Sequence, residues 1–328
     1  MTPIRPVRPL LSRAFAAVAV LLAVGAAGAE DAYPTRPVTV VNPWASGGPS
    51  DAIIRPIAQQ LGTRLGQQFV VENRAGANGT IGATSVARAK PDGYTLFFAH
   101  VAPIAISPSM PQKPPYDPVK DFVPVALLAS GPSVLVVRSD FPAKSLAELT
   151  DYARANPGKV TYGSVGVGSN THLAGAMLEN MAKVQMVHVP YKGSATIQTD
   201  IVGGQLTTAF VNLGGALGLI NEGRLRPLAV TTLKRSSVLP QVPTVAESLP
   251  GFEIDGWYGV MAPAGTPPEI VRKLNAEINE VLKTAEIRTR LRDAGMESQT
   301  LSTEAFGAKL REELVRWGAA VKAAGIRE

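Results

Sequence analysis

Residues 43–51 of this chain read Pro43-Trp44-Ala45-Ser46-Gly47-Gly48-Pro49-Ser50-Asp51. The apolar run Val38-Thr39-Val40-Val41 before them predicts a buried strand, and residues 53–61 after them have helical spacing. Such a strand, turn and helix can hold an anion, because glycines let backbone N–H groups approach a ligand and the first helical turn has unpaired donors. The turn contains neither a lysine for a phosphate nor a nucleophile with a base. It therefore favours carboxylate binding over catalysis, with an ordinary β–α turn as the alternative.

The N-terminus has the pattern of a secretory signal peptide. Arg5, Arg8 and Arg13 form a basic segment, residues 14–24 are apolar, and Ala27-Gly28-Ala29 is a small-residue cleavage motif. We predict cleavage after this motif and a mature protein located in the periplasm. Three of the 32 Lys and Arg residues and none of the 26 Asp and Glu residues lie in this leader, so the mature chain is only mildly positive.

Composition excludes several classes of function. The charged residues are dispersed, without a basic run or interleaved aromatic residues, so nucleic acid is not a predicted partner. The chain has no cysteine, which excludes disulfides, thiolate nucleophiles and cysteine metal sites. His100, His172 and His188 lack metal-ligand spacing, and we place only His100 near a pocket. We predict neither a metal nor a cofactor.

Strand-like apolar runs alternate with helical patterns along the mature chain. This alternation predicts an α/β fold in which helices flank open sheets and ligands bind at the carboxyl ends of strands. The predicted strands are Val38–Asn42, Phe69–Glu72, Thr95–Ala99, Val123–Leu128, Val134–Val137, Thr161–Gly163, Met186–Val189, Thr207–Val211, Leu228–Thr231 and Gly256–Ala262.

Capping residues mark several helix ends. Ser145 with Glu148 predicts one capping box, and Thr266 with Glu269 predicts another that has Pro267 at the first helical position. The predicted helix stops are Gly158, Gly223 and Gly295.

Three helical patterns close the chain over residues 269–283, 285–293 and 303–324, without an intervening strand. They need a sheet to pack on, and the N-terminal half supplies one, so we predict that a second lobe is inserted into a discontinuous first lobe. The predicted division is a leader over residues 1–29, a first lobe over residues 30–132 plus 257–328, and a second lobe over residues 133–256. Two chain crossings, Ser130–Ser133 and Asp255–Tyr258, would form a hinge.

A second polar turn lies inside the predicted second lobe. It reads Gly163-Ser164-Val165-Gly166-Val167-Gly168-Ser169-Asn170-Thr171 and again connects a strand to a helix, with Ser169 or Asn170 as the N-cap. If the two turns face each other across a cleft, they can hold the two ends of an acidic solute.

Further landmarks follow in one order along the chain. They are Tyr33-Pro34-Thr35-Arg36-Pro37-Val38, Val71-Glu72-Asn73-Arg74-Ala75-Gly76-Ala77-Asn78-Gly79, Pro91-Asp92-Gly93-Tyr94-Thr95, Tyr116-Asp117-Pro118, Thr171-His172-Leu173-Ala174-Gly175, Val187-His188-Val189-Pro190-Tyr191-Lys192-Gly193, Leu228-Ala229-Val230-Thr231, Pro243-Thr244-Val245-Ala246-Glu247 and Trp257-Tyr258-Gly259-Val260-Met261-Ala262-Pro263-Ala264-Gly265-Thr266. With these landmarks the mature chain resembles the Bug (Bordetella uptake gene) or TctC-type extracytoplasmic solute receptors of tripartite tricarboxylate transporters.

The resemblance implies a two-lobed, type II periplasmic-binding-protein fold that closes on its solute and delivers it to membrane transporter subunits. It also implies that one carboxylate of the solute lies against the first turn and that the second lobe opposes it. Carried onto this chain, the implied ligand-binding residues are Trp44, Ser46, Gly47, Gly48, Ser50, Asp51, His100, Val101, Ala102, Ser164, Gly166, Ser169, Asn170, Thr171, Tyr191, Lys192, Val211 and Asn212. Asp51 is interpreted as structural, and Lys192 either neutralises a carboxylate or is solvated.

The chain departs from the family at one informative place. Many members read Phe-Asp-Asn-Leu-Pro-Ser where this chain reads Phe210-Val211-Asn212-Leu213-Gly214-Gly215. Val211 thus replaces an acidic residue that could face an ammonium group, and an uncompensated ammonium in an apolar cleft is costly. The predicted solute is therefore a dicarboxylate or an aromatic acid rather than an amino acid.

Two other functions stay open. The protein could present its ligand to a membrane sensor kinase, or it could be an exported hydrolase. No serine lies in a Gly-x-Ser-x-Gly motif, and no histidine and acid can be assigned to one, so we predict a monomeric binding protein rather than an enzyme.

Overall fold

A mixed β-sheet of ten strands runs through the part of the chain that the structure, a computed structural model, describes, namely residues 33–323. Residues from Arg36 onward belong to one unit, and the following description concerns that unit. The strands are β1 (Val38–Asn42), β2 (Phe69–Asn73), β3 (Thr95–His100), β4 (Phe122–Arg138), β5 (Val160–Ser164), β6 (Met186–Pro190), β7 (Thr208–Asn212), β8 (Leu225–Val230), β9 (Asp255–Pro263) and β10 (Glu297–Ser298). The predicted leader, residues 1–29, lies outside the described residues.

Helices flank this sheet, which confirms the predicted α/β class. They are α1 (Pro49–Leu65), α2 (Thr80–Ala87), α3 (Leu146–Ala155), α4 (Asn170–Ala182), α5 (Ser194–Val202), α6 (Leu213–Asn221), α7 (Pro268–Lys283), α8 (Ala285–Asp293) and α9 (Thr303–Ala323). None of the helices among residues 33–323 is long and apolar enough to cross a membrane.

The sheet has two parts that meet on β4. In the first part, β2, β1 and β3 are parallel, and β9 joins them antiparallel between β3 and β4. In the second part, β6, β5 and β7 are parallel, and β7 and β8 pair antiparallel with the far end of β4. This is the predicted two-lobed fold, in which the long strand β4 is shared by both parts.

The prediction of two separate strands at Val123–Leu128 and Val134–Val137 is wrong, because β4 is one strand of 17 residues. Pro132 removes one backbone donor, but it lies where β4 changes partners from β9 to β7, so no continuous ladder is interrupted. The predicted crossings run side by side there, with Gly131 opposite Gly256 and Pro132 opposite Asp255.

Two further predictions need correction, one about the start of a helix and one about the segment between the C-terminal helices. The prediction of a capping box at Thr266 is wrong. Pro268 disfavours helical geometry in the residue before it, Pro267, so Pro267 is not the first helical residue. The helix α7 consequently begins at Pro268, and the Thr266 hydroxyl donates instead to the Pro263 carbonyl at 2.7 Å. The C-terminal helices also have a strand between them, since β10 pairs with β4 at Ala129 and Ser130. Ser145 does cap α3 as predicted, accepting from the Glu148 N–H.

Apolar residues fill both parts of the sheet. The larger cluster contains Phe97, Trp257, Phe306 and Trp317 and continues onto α4. A second cluster packs α5 and α6 against the far end of β4, and it includes Val211. These clusters hold the strand ends, and therefore the turns that follow them, in fixed positions.

Candidate functional site

The first polar turn is organised around the carboxylate of Asp51. Its Oδ1 accepts from Asn42 Nδ2 at 2.9 Å and from Asn73 Nδ2 at 3.0 Å. Its Oδ2 accepts from the Gly47 N–H at 2.6 Å and from the Ser46 hydroxyl at 3.2 Å. Both oxygens are therefore used inside the turn, as the structural interpretation of Asp51 requires.

These hydrogen bonds and the Arg55 guanidinium outweigh the effect of burial and lower the pKa of Asp51 to about 2. A carboxyl whose folded pKa is depressed adds stability above its ordinary pKa of about 4, and that stability is lost as the pH falls through about 2.

We therefore expect Asp51→Asn to lower the free energy of unfolding at pH 7 by about 2 kcal/mol. The difference from the unsubstituted protein should narrow as the pH falls from 4 to 2. Urea unfolding at several pH values measures it, with Asp151→Asn as the control because the Asp151 side chain is 73% exposed. A loss that does not depend on pH would contradict the assigned role of the ionised carboxylate.

Aromatic rings line one side of this turn. The rings of Trp44 and His100 meet edge to face at 5.4 Å, and His100 lies 4.9 Å from the ring of Tyr258. Burial lowers the pKa of His100 to about 3, so the imidazole is neutral at physiological pH. The Ala102 N–H donates to its Nδ1 at 3.2 Å, which leaves the proton on Nε2. His100 is therefore a neutral hydrogen-bond donor.

The second polar turn is also tied internally. Ser169 caps α4 by accepting from the His172 N–H, and its hydroxyl donates to the Gly166 carbonyl at 2.7 Å. The Thr171 hydroxyl accepts from the Val165 N–H at 3.2 Å and is buried. The Asn170 amide nitrogen lies 3.7 Å from where a Cβ on Gly256 would be, so Asn170 reaches the hinge.

Two histidines support this turn from behind. The rings of His172 and His188 stack at 3.9 Å, and the Gly168 N–H donates to His172 Nδ1 at 3.2 Å. Burial, together with His188, lowers the pKa of His172 to about 4. The two rings therefore pack against each other and hold this turn in place.

Ser164 and His188 share a hydrogen bond of 2.6 Å, which the sequence did not indicate. They are brought together because β5 and β6 are parallel, with Ser164 opposite Pro190. This hydrogen bond depends on the register of two adjacent strands, which no local sequence pattern indicates. Ser164 is fully buried, so it presents no accessible nucleophile for hydrolysis.

A cavity of about 250 Å³ lies beside the hinge, between the two parts of the sheet. Its lining comes from the starts of three helices, from the hinge strands and from the turn after α8. The lining residues are Pro49, Ile53, His100, Gly131, Pro132, Ser194, Asn212, Leu213, Gly214, Gly215, Gly256, Tyr258, Asp293, Ala294, Gly295 and Met296. Of the predicted ligand-binding residues, His100 and Asn212 are among them.

The other predicted ligand-binding residues are not among those that line this cavity. Val211 is 1% exposed and packs in the apolar cluster behind β7, so its side chain faces the core. Val101 and Ala102 are likewise buried in the core. Lys192 is exposed, and the Tyr191 hydroxyl donates to Asp200 at 2.7 Å.

Sequence reasoning missed several lining residues, among them Tyr258 and the turn at 293–296. Gly214 and Gly215, quoted only as a departure from the family, also belong to the cavity. The sequence feature that could have indicated these two residues is that both are glycines, because a residue without a side chain permits close approach of another backbone segment. A Cβ on Gly214 would lie 2.2 Å from the Ala294 backbone.

The two lobes of the predicted division touch in this structure. The Asn78 amide donates to the Val167 carbonyl at 2.9 Å, and α6 meets the turn after α8 at Gly214. Beside the first of these contacts, a second cavity of about 660 Å³ lies between residues 77–80, the loop 107–115 and the second polar turn. Among the described residues, no group of three or more His, Asp or Glu side chains is placed to hold a metal ion.

Comparison with known proteins identifies the family. A family model described as "Tripartite tricarboxylate transporter family receptor" (TctC) matches residues 53–326. A UPF0065 protein from a tcbD-tcbE intergenic region of Pseudomonas sp. (strain P51) is 40% identical over 289 residues, which are 88% of this chain and 86% of that protein.

Solved structures agree with the sequence match. Rpa4515 of R. palustris, solved with adipate, has a TM-score of 0.82 and 39% identity, covering 90% of this chain and 99% of that one. MatC from Rhodopseudomonas palustris, with bound malate, has a TM-score of 0.78 and 36% identity, covering 88% and 100% of the two chains. The predicted resemblance is confirmed, and the chain belongs to the TctC family of periplasmic solute receptors of tripartite tricarboxylate transporters.

Proposed function

We propose that this protein captures a small carboxylate without an α-amino group in the cavity beside the hinge and delivers it to a tripartite tricarboxylate-type transporter. The observation that carries the proposal is the meeting of three helix N-termini at this cavity. Pro49 of α1, Ser194 of α5 and Leu213 of α6 are each the first residue of their helix, and all three line it.

None of these three helices has a side chain that caps its N-terminus. The N-cap residues are Gly48, Gly193 and Asn212, and each lacks a side-chain hydrogen bond to the first turn. At α5 and α6 the first-turn N–H groups therefore have no side-chain acceptor, whereas at α1 Pro49 has no N–H and the Asp51 N–H donates to the Gly48 carbonyl. Each N-terminus carries about half a positive charge from the helix dipole, which the ionised Asp51 partly balances at α1. A carboxylate supplies both the acceptors and the compensating charge.

The remaining lining groups favour an anion without an ammonium. The lining contains no lysine or arginine, and its only acidic residue, Asp293, is exposed at the end of α8. An ion pair at such an exposed position contributes about 0–1 kcal/mol, too little to recover the desolvation of a buried ammonium. Val211 does not decide the solute class, because its side chain lies in the core.

Two solute classes fit these groups. Adipate and malate, found in the similar receptors, are both carboxylates without an α-amino group. An aromatic acid would instead stack on the rings of Trp44, His100 and Tyr258, which lie together at the first turn. Dicarboxylates and aromatic acids therefore both stay within the proposed class.

Delivery requires that the lobes open and close around the solute. We infer that residues 30–132 and 257–328 move against residues 133–256 about the paired segments at Gly131 and Gly256. In this account the protein acts as a monomer that contacts the membrane subunits transiently, in its closed form.

A thermal-shift screen of the purified protein tests the ligand class. Dicarboxylates and aromatic acids should raise the melting temperature, because a ligand at a hundred times its Kd adds about 2.7 kcal/mol of stability. Amino acids of the same length serve as the control and should give smaller shifts. A screen in which only amino acids stabilise the protein would refute the proposed class.

A further inference from the structure

A cluster of charged side chains joins the hinge to the C-terminal helix. Asp255 lies at the start of β9, and Lys309 of α9 pairs with it, while Glu313 pairs with Lys309 and with Arg316 on the same helix. Lys309 Nζ is 3.7 Å from Asp255 Oδ2 and 3.4 Å from Glu313 Oε1. Glu253, just before β9, pairs with Arg316 at 2.8 Å. Three carboxyl groups thus face two cations.

The two buried carboxyl groups differ in their hydrogen bonds. Glu313 is 3% exposed, and its Oε2 accepts from the indole N–H groups of Trp317 at 2.7 Å and Trp257 at 3.4 Å. Its Oε1 accepts from Lys309 and Arg316. Asp255 Oδ1 is buried and has no hydrogen-bond partner. A buried carboxylate oxygen without a donor is unfavourable when ionised, and a proton there removes the excess negative charge.

Burial, with smaller effects from Glu313 and Glu253, raises the pKa of Asp255 to about 7, although Lys309 and Arg316 oppose the rise. These four are the charged groups that face it, from α9 and from the segment before β9. On its other side β4 presents Pro132, which has no ionisable group.

Asp255 is placed where lobe movement would change its surroundings. It lies in one predicted hinge crossing and pairs with Pro132 in the other. Its partners on α9 belong to the predicted first lobe, whereas Glu253 belongs to the second. If the lobes rotate about the proposed hinge, Glu253 moves away from the groups on α9, and water reaches the buried oxygen of Asp255.

We propose that Asp255 couples closure of the lobes to the uptake of one proton, so that carboxylate capture becomes tighter as the pH falls from 8 to 6. This inference rests on the proposed function and adds a regulation to it. In the closed form the proton lies on Oδ1 of Asp255. In the open form water solvates the carboxylate, and the proton returns to the solvent.

The direction and the size of the change in affinity with pH follow from proton linkage. An acid whose pKa is about 7 with the contacts of this structure and ordinary in a solvated open form takes up a proton on closure below pH 7. The affinity then rises about tenfold between pH 8 and pH 6, with an uptake of about half a proton per ligand at pH 7.

Calorimetry with adipate as the probe tests the coupling. Titrations at pH 6, 7 and 8, in two buffers with different ionisation heats, give both the affinity and the proton uptake. Asp255→Asn, which keeps the shape without the charge, should bind with an affinity that shows no such rise. Asp151→Asn is the matched control for net charge, and it should behave like the unsubstituted protein. Titration of the ligand itself is common to all three proteins and cancels in the comparison.

A second measurement separates the coupling from the ligand class. The chain has no cysteine, so dyes attached through Lys90→Cys on the first lobe and Lys159→Cys on the second report the lobe distance without ligand. The closed fraction, observed by single-molecule energy transfer, should grow from pH 8 to pH 6 and should not grow with Asp255→Asn.

The outcomes distinguish the two proposals. Proton uptake that is present in the unsubstituted protein and absent with Asp255→Asn supports the coupling. Adipate binding without proton uptake or pH dependence overturns the coupling and leaves the proposed function standing. If no carboxylate binds, the proposed function fails, and the ligand-free energy-transfer distributions decide the coupling. If Asp255→Asn does not fold, the uptake measured on the unsubstituted protein decides it.

Discussion

Gly214→Ala is expected to weaken adipate binding by roughly five- to 150-fold while the protein stays folded. A Cβ on Gly214 would lie 2.2 Å from the carbonyl carbon and oxygen of Ala294, so the backbone of one lobe would have to move. Overpacking of this kind costs about 1–3 kcal/mol, which corresponds to that range of affinity. Because Gly214 and Ala294 belong to different predicted lobes, the cost falls on the arrangement in which the lobes touch as they do in this structure.

The same helix provides a matched control for this substitution. A Cβ on Gly218 of α6 would meet nothing within 4 Å, and Gly→Ala within a helix adds about 0.5–1 kcal/mol of stability. Gly218→Ala should therefore unfold at a slightly higher temperature and bind adipate normally. Calorimetry and thermal unfolding of both variants measure the two effects. Unchanged affinity in Gly214→Ala would show that the two backbones are further apart in the bound protein than in this structure.

Removal of the His100 donor is expected to produce the second large effect. His100→Asn keeps an acceptor near the position of Nδ1 but has no donor near Nε2. His100→Gln carries its amide nitrogen near Nε2. Loss of a hydrogen bond to a charged group costs about 1.5–3 kcal/mol, so His100→Asn should bind roughly ten- to a hundredfold more weakly, and His100→Gln should recover part of that loss.

Comparison of the two His100 variants isolates the donor. Both lose the ring contacts with Trp44 and Tyr258, so their difference reports the hydrogen bond alone. Since the pKa of His100 is about 3, the ratio of affinities between the unsubstituted protein and each variant should not change between pH 5 and pH 8. Equal losses in both variants, measured by calorimetry, would remove the His100 donor from the binding site.

The fold could be predicted well where local patterns decide it. β1 and α8 lie where the apolar spacing and turn residues indicate, and the remaining predicted strands overlap observed ones. The failures occur where tertiary pairing overrides local signals. The segment Gly131-Pro132 resembles a break, yet β9 pairs with it and extends β4 through it. The structure shows a complete capping box at Thr244 and Glu247, which the sequence analysis did not predict.

The candidate site was predictable only in part. The polar turns were recognisable because glycines and small polar residues separate a strand from a helix. The direction of the Val211 side chain could not be recognised from the sequence. It depends on the pairing of β7 with β4, in which Val211 lies opposite Val134 and its side chain enters the core. The turn at 293–296 reaches the cavity only because α6 packs against it through Gly214 and Gly295. Such distant approaches leave no periodic signal in one sequence.

On the proposed function, the cavity beside the hinge accepts carboxylates and offers no buried acidic partner for an α-ammonium group. The most direct test is calorimetric titration with two matched pairs, adipate against 2-aminoadipate and malate against aspartate, in one buffer at pH 7. We predict that the acid without the amino group binds at least about tenfold more tightly in the pair that binds, because the ammonium would be desolvated without a buried partner. Equal or tighter binding of the amino acid would contradict it.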